Sequence, residues 1–205
     1  MRAWFVCVGL LCLSGRASGE ESWRVREVPL EPSLWHAMRA DALERDGLWT
    51  LRNEGAANGF MLPLDVKPRP TVFVQAELSL SKRLSKQGWN FAGVALYQDD
   101  DHYWMLSLVE GPGGVRTVDF IENHAGVWQA QNEPETALKR NGNVSFAWIP
   151  DAVYRLRLAF ENGRVAAQVS DAADGRVLGR AFFPLGTVPA VRTGRPALIV
   201  HASAA

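Results

Sequence analysis

The chain is nearly devoid of cysteine. Its two, Cys7 and Cys12, both fall in the first 13 residues. The rest of the chain can build no disulfide framework, so its stability has to come from packing. An excess of either charge is also missing, since 22 basic residues balance 22 acidic ones. The basic residues, mostly arginine, form no run or stripe, which excludes the electrostatic footprint of a nucleic-acid binder. No apolar stretch approaches the roughly twenty residues that a membrane-spanning helix needs. Internal repeats and low-complexity tails are lacking as well.

What is present begins with an export signal. Met1-Arg2 carries one positive charge, and an apolar run of about a dozen residues follows, ending at Leu13. Small residues come next, in Gly15-Arg16-Ala17-Ser18-Gly19. Cleavage after Ala17 or after Gly19 fits a signal peptidase, and we take Gly19. The competing reading of this segment is a buried N-terminal strand. Leu11 precedes Cys12 and Val6 precedes Cys7, so neither cysteine has the small neighbour that a lipid anchor requires. The expected organisation is a signal peptide over residues 1–19 and a single domain over 20–205, secreted or periplasmic, with no membrane anchor. A domain of that length buries roughly 70% of its unfolded surface. Loss of Arg2 and Arg16 leaves it slightly acidic.

Period-two patterning dominates this domain. Strands are predicted over 72–80, 91–97, 102–110, 116–123, 127–130, 154–160 and 164–170. Between them lie turn signals: Gln98-Asp99-Asp100-Asp101, Gly111-Pro112-Gly113-Gly114, His124-Ala125-Gly126, Glu161-Asn162-Gly163 and Asp174-Gly175. Many short strands at this spacing imply an all-β fold, an antiparallel sandwich or barrel with little helix. Leu34–Arg45 is the exception. Its Ala, Met, Leu, Arg and Glu favour a short helix, while a strand ending at Asp46-Gly47 fits nearly as well.

Turn lengths set a register. Tyr97 should pair with Tyr103, Gly93 with Ser107, Ser107 with Asp119, and Tyr103 with Asn123. One face then carries Ala92, Val94, Leu96, Trp104, Leu106, Leu108, Val118 and Phe120, a hydrophobic core face. The other carries Phe91, Gly93, Ala95, Tyr97, Tyr103, Met105, Ser107, Thr117, Asp119, Ile121 and Asn123, a mixture of small, aromatic and polar side chains.

Several stretches together resemble the concanavalin A-like lectin/glucanase superfamily. They are Phe91-Ala92-Gly93-Val94-Ala95-Leu96-Tyr97, His102-Tyr103-Trp104-Met105-Leu106, Gly126-Val127-Trp128, Tyr154-Arg155-Leu156-Arg157-Leu158, Asn162-Gly163-Arg164-Val165 and Gly194-Arg195-Pro196-Ala197-Leu198. Within that superfamily they look most like laminin-G-like modules and the bacterial secreted 3-keto-disaccharide hydrolase-like domains. The resemblance spans residues 45–200 and implies a jelly roll of two antiparallel sheets with a ligand site on the concave one. Two departures stand out. The Glu-x-Asp-x-x-Glu strand of the superfamily's glucanases is absent. The chain also reaches Ala205 where such domains add a final strand, which reads either as a fragment or as a domain without its last strand, whose open edge another chain or segment would then have to cover.

The mixed face is the predicted ligand site, with Tyr97, Tyr103, Ser107, Asp119 and Asn123. Arg155, Arg157 and Gln168 would join it if their strands enter the same sheet. Aromatic rings beside fixed polar groups suit carbohydrate. Asp119 and Glu122 are candidate acid/base residues, ahead of Glu110 and His102, but no motif marks them. Glu122 has core-face parity near a strand end and is expected to emerge at the rim. Asp99 and Asp101 are candidate calcium ligands. Adjacent carboxylates need further oxygens to form a cage, so a charged turn is the plainer reading and no cofactor is expected. Most tryptophans should fill the core, with Trp89 and Trp128 the candidates for exposed stacking. The expected function is a carbohydrate-binding or glycan-processing module. The alternatives are a glycoside hydrolase of the 3-keto-disaccharide type and a non-catalytic module with a protein partner.

Overall fold

The computed structural model describes residues 10–14, 23–27, 31–45, 48–84, 88–129 and 138–204. In chain order the strands are β1 (Leu10–Ser14), β2 (Trp23–Glu27), β3 (Trp35–Met38), β4 (Asp41–Arg45), β5 (Leu48–Arg52), β6 (Gly59–Pro63), β7 (Val72–Leu78), β8 (Lys82–Arg83), β9 (Asn90–Asp99), β10 (His102–Glu110), β11 (Arg116–His124), β12 (Val127–Gln129), β13 (Asn141–Asn143), β14 (Tyr154–Glu161), β15 (Arg164–Asp171), β16 (Val177–Pro184), β17 (Arg195–His201) and β18 (Ser203–Ala204). They form two seven-stranded sheets. The first is ordered β13-β16-β15-β14-β7-β1-β2 and the second β12-β11-β10-β9-β17-β6-β3, while β4-β5-β18-β8 make a smaller third. The fold is an all-β antiparallel sandwich, and its only helical turns among the described residues are of the 3-10 type, at Pro32–Leu34 and Pro112–Gly114.

Local chemistry explains the hairpins. Asn162 and Gly163 both take positive φ, 49° and 71°, the two-residue turn that matches strand twist. It sets Phe160 opposite Val165 and Leu158 opposite Ala167. Pro112-Gly113-Gly114 turns β10 into β11 in full register from Glu110↔Arg116 to His102↔His124. The expected pairs Tyr97↔Tyr103, Gly93↔Ser107, Ser107↔Asp119 and Tyr103↔Asn123 are all formed. Gly93 is required at its position, because a Cβ there would lie 2.1 Å from the Leu106 carbonyl oxygen.

Over Leu34–Arg45 the helical expectation fails. A single 3-10 turn ends at Leu34, and β3 and β4 follow. Arg39, with φ of 55°, lies between these strands and interrupts any helical path. Within the stretch read as a leader, Leu10–Ser14 lies between β2 and β7, with Cys12 opposite Phe73 and Leu13 opposite Val72.

The main core lies between the two large sheets. Leu156, Leu158 and Phe160 of β14 and Val72, Val74 and Leu78 of β7 meet Val94, Leu96, Trp104, Leu106 and Phe120 of the second sheet. The predicted core face is therefore the one that faces the first sheet. Buried indole donors are satisfied, Trp104 Nε1 by the Val191 carbonyl at 3.0 Å and Trp148 Nε1 by the Val109 carbonyl at 2.9 Å. A second apolar cluster covers the opposite face of the second sheet, where Phe60, Phe91, Tyr97, Tyr103, Met105, Ile121 and Ile199 pack together.

Candidate functional site

That second cluster is the floor of a cavity of about 920 Å³. Period two puts Tyr103, Met105, Asp119, Ile121 and Asn123 on its side of β10 and β11, while β6 and β17 contribute Phe60 and His201. The rings interlock on this floor. Phe60 sits 4.8 Å from Tyr97 and 5.3 Å from Tyr103, and Tyr103 meets Trp128 edge-on at 5.9 Å. Phe91 stacks on His201 at 5.1 Å, as their cross-strand pairing requires.

One edge of the cavity is a polar network. Arg39 grips Asp100 with both terminal nitrogens, at 2.9 and 2.7 Å, in a bidentate pair. Tyr97 donates its hydroxyl to the same carboxylate at 2.9 Å. Asn58 accepts from Arg39 Nε at its carbonyl and donates its side-chain amide to the Tyr103 hydroxyl at 2.5 Å. The Arg39 guanidinium holds the Asp100 carboxyl below its ordinary range. Across the floor Asp119 behaves oppositely: burial raises its pKa, and the positive charge of Arg140 only partly offsets this. Burial also lowers the pKa of His201, which favours its neutral form.

Two tryptophans stand at this cavity. Trp89 is 54% exposed and Trp128 40%. Trp89 is held by a missing side chain, because a Cβ on Gly111 would come within 2.6 Å of its ring. Both were singled out in the sequence by their position beside turns.

Of the predicted ligand residues, Tyr103, Asp119 and Asn123 line the cavity. Tyr97 shares their face but packs behind Phe60, with Arg195 over its ring at 5.4 Å. Ser107 is fully buried, its hydroxyl without a partner among the described residues, and it floors nothing accessible. Arg155, Arg157 and Gln168 belong to the first sheet and project from its outer face, so they do not join this site. β14 pairs β7 and β15, β15 pairs β14 and β16, and neither β14 nor β15 pairs with a strand of the second sheet.

The other candidates divide similarly. Glu122 has the expected core parity but does not emerge at the rim. It is fully buried, and its carboxylate accepts the Val191 amide. Burial pushes its pKa up to about 7. Glu110 lies at the far end of β10, 3.9 Å from Arg116. His102 Nδ1 is 2.8 Å from Asp99 Oδ1, which also accepts the Asp101 amide, so Asp99 closes a turn. Among the described residues no group of three or more His, Cys, Asp or Glu is placed to hold a metal ion.

Arg39, Asn58, Arg140, Ser145 and His201 were not anticipated at the site. They arrive from loops and from β17, distant in sequence from the β9–β11 meander, and the turn signals beside two of them, Asn58-Gly59 and Asn141-Gly142, do not say which face they reach.

No family model matches the chain, and no curated protein matches it. Among solved structures it is similar to the carbohydrate-binding module CBM66 from Bacillus subtilis, at 11% identity and a TM-score of 0.56, over 83% of this chain and 89% of that one. It also matches the enzymatically active domain of tailspike protein 2 from bacteriophage CBA120, at 12% identity and a TM-score of 0.46, over 82% of this chain and 25% of that one. The first likeness agrees with the β-sandwich architecture described above.

Proposed function

We propose that this chain is a carbohydrate-binding module, a concanavalin A-like sandwich whose second sheet takes a neutral sugar chain in the cavity over its outer face. The observation that carries the reading is the pair of exposed indoles, Trp89 and Trp128, standing at a cavity floored by aromatic rings. Sugar rings pack their C–H faces on such surfaces, and their hydroxyls bond to fixed polar groups at the edge. Charge balance favours a neutral ligand. Arg39 is matched by Asp100, and Arg140 lies close enough to Asp119 to act on its charge. The name of the CBM66 neighbour agrees with this reading. Export belongs to the same proposal, with the signal peptide ending at Gly19.

The test is binding of the purified protein to a panel of neutral glycans, with and without calcium, with products followed by mass spectrometry. Binding without product, lost when Trp89 and Trp128 are both changed to Ala, supports the reading. No binding across the panel would shift weight to a protein-interaction module. N-terminal sequencing of exported protein should begin at Glu20.

A second reading has its own support. Asp119 and Asp100 line the same cavity, and their environments push their pKa values apart, one up and one down. Such a split is how paired carboxylates divide acid and base roles in glycoside hydrolysis. Product release that Asp119→Asn abolishes would make the protein a glycoside hydrolase.

A further inference from the structure

We propose a second ligand site on the outer face of the first sheet, a groove that binds the carboxylates of an acidic polysaccharide built from uronate residues. The groove encloses about 380 Å³ and is separate from the cavity over the second sheet.

Its construction follows from register. Gln75↔Arg157, Arg157↔Gln168, Gln168↔Arg180 and Arg180↔Asn143 are successive cross-strand pairs, so these five side chains form one polar rung across β7, β14, β15, β16 and β13. The neighbouring rung is Phe73, Ala159, Ala166, Phe182 and Asn141. This neighbouring rung is apolar: Phe73 and Ala159 are buried, while Ala166 and Phe182 are partly exposed in the groove. Arg157 lies over Phe73 at 4.7 Å and Arg164 over Phe182 at 4.9 Å, and these contacts hold both guanidiniums against the sheet.

The charges here do not balance. Arg157 and Arg164 share one carboxylate, Glu161, at 3.8 and 3.0 Å. Arg180 donates through Nε to the neutral Gln168 oxygen at 2.9 Å, and no carboxylate pairs with it among the described residues. Three guanidiniums therefore face one carboxylate in a groove whose floor is apolar. The missing anion is the ligand's. Guanidinium forks match planar carboxylates in two-point contact. Arg157 and Arg180 are two strands apart, ~10 Å. In an extended polyuronate, alternate residues turn their carboxylates to the same side at a similar separation. Between the two arginines lies Gln168, with Ala166 beside it on β15, and the pyranose ring between the two carboxylates would rest on this strip. A single small anion would use one guanidinium and leave this strip bare.

Affinity electrophoresis of the full chain in gels containing polygalacturonate, its methyl ester or dextran sulfate tests the proposal. Polygalacturonate should retard the protein, with retention falling as salt rises, and the methyl ester should not. The double variant Arg157→Gln/Arg180→Gln should weaken that binding by on the order of tenfold or more. It should still melt cooperatively, lowered only by the loss of the Arg157 contacts with Phe73 and Glu161, and its binding of neutral glycans should not change. This last arm separates the groove from the cavity, because either site can fail while the other stands. Retention that persists in the double variant overturns the proposal. So does equal retention by the methyl ester, and so does dextran sulfate held as strongly as polygalacturonate.

Discussion

The two large sheets are built from the same alternation, yet their outward faces differ in kind. The outer face of the first sheet carries charged and polar side chains over alanine: Arg155, Arg157, Gln168 and Arg180 project from it, and Glu77 and Glu161 answer some of them. The outer face of the second sheet is itself a core, with Tyr103, Met105 and Ile199 each no more than 2% exposed. Charge is balanced in the cavity over the second sheet and in surplus in the groove over the first. Period two reveals that a strand has two faces. It does not reveal which face will be covered, and function here follows the covering.

The sharpest way to break the comparison is to cut into both sides of β10. Tyr103→Ala should cost about 3–5 kcal/mol and Leu106→Ala about 2–5 kcal/mol in urea unfolding, since each side chain is fully buried. A silent Tyr103→Ala would mean that the cavity face is an ordinary solvated surface. The next effect depends on pH. Burial raises the Glu122 carboxyl from an ordinary value of 4.5 to about 7. Its contribution to stability is therefore complete below about pH 4.5 and is lost as pH rises through about 7. Glu122→Gln keeps an acceptor for the Val191 amide, so it should melt higher than the parent at pH 8 and about equally at pH 4, measured by thermal denaturation. Trp89→Ala should leave stability within about 0.5 kcal/mol while weakening neutral-glycan binding in titration calorimetry. Gly111→Ala should weaken it too without touching ligand, because the new methyl displaces the indole. The smallest effect belongs to the first sheet's outer face. Glu77→Ala removes a partly exposed ion pair with Arg155 and should cost no more than about 1 kcal/mol, less at high salt. A large loss there would show that this face also bears structural weight.

The meander of β9, β10 and β11 was legible because its turns are short and chemically explicit. Asp99-Asp100-Asp101 and Gly111-Pro112-Gly113-Gly114 pin the register, and with it the core face from Ala92 to Phe120. The same logic placed Tyr103, Asp119 and Asn123 on one face and drew attention to Trp89 and Trp128. It stopped at contacts between distant segments. Arg155 and Gln168 alternate as cleanly as Tyr103 and Asp119, and nothing local to β14 or β15 says which sheet they enter. Ser107 and Glu122 had the right parity, but their burial depends on neighbours in other segments; for Glu122 that neighbour is Val191. Arg39 was hidden inside a stretch of good helix formers, where its positive φ and its grip on Asp100 leave no mark in composition.

The placement of β17 has a consequence for how the molecule comes into being. This strand enters between β9 and β6, with Ala197 opposite Ala95 and Leu198 opposite Met61. During synthesis, β6 and β9 leave the ribosome long before their common neighbour exists. Until it arrives, each presents an open edge, and the sheet cannot close by contacts between adjacent segments. The wall formed by Phe91 and His201 cannot assemble before then either. A nascent chain lacking residues 195–201 should therefore be loose and prone to association, and a folding helper that protects bare strands would act in that interval. The cavity cannot be complete until β17 has joined the sheet.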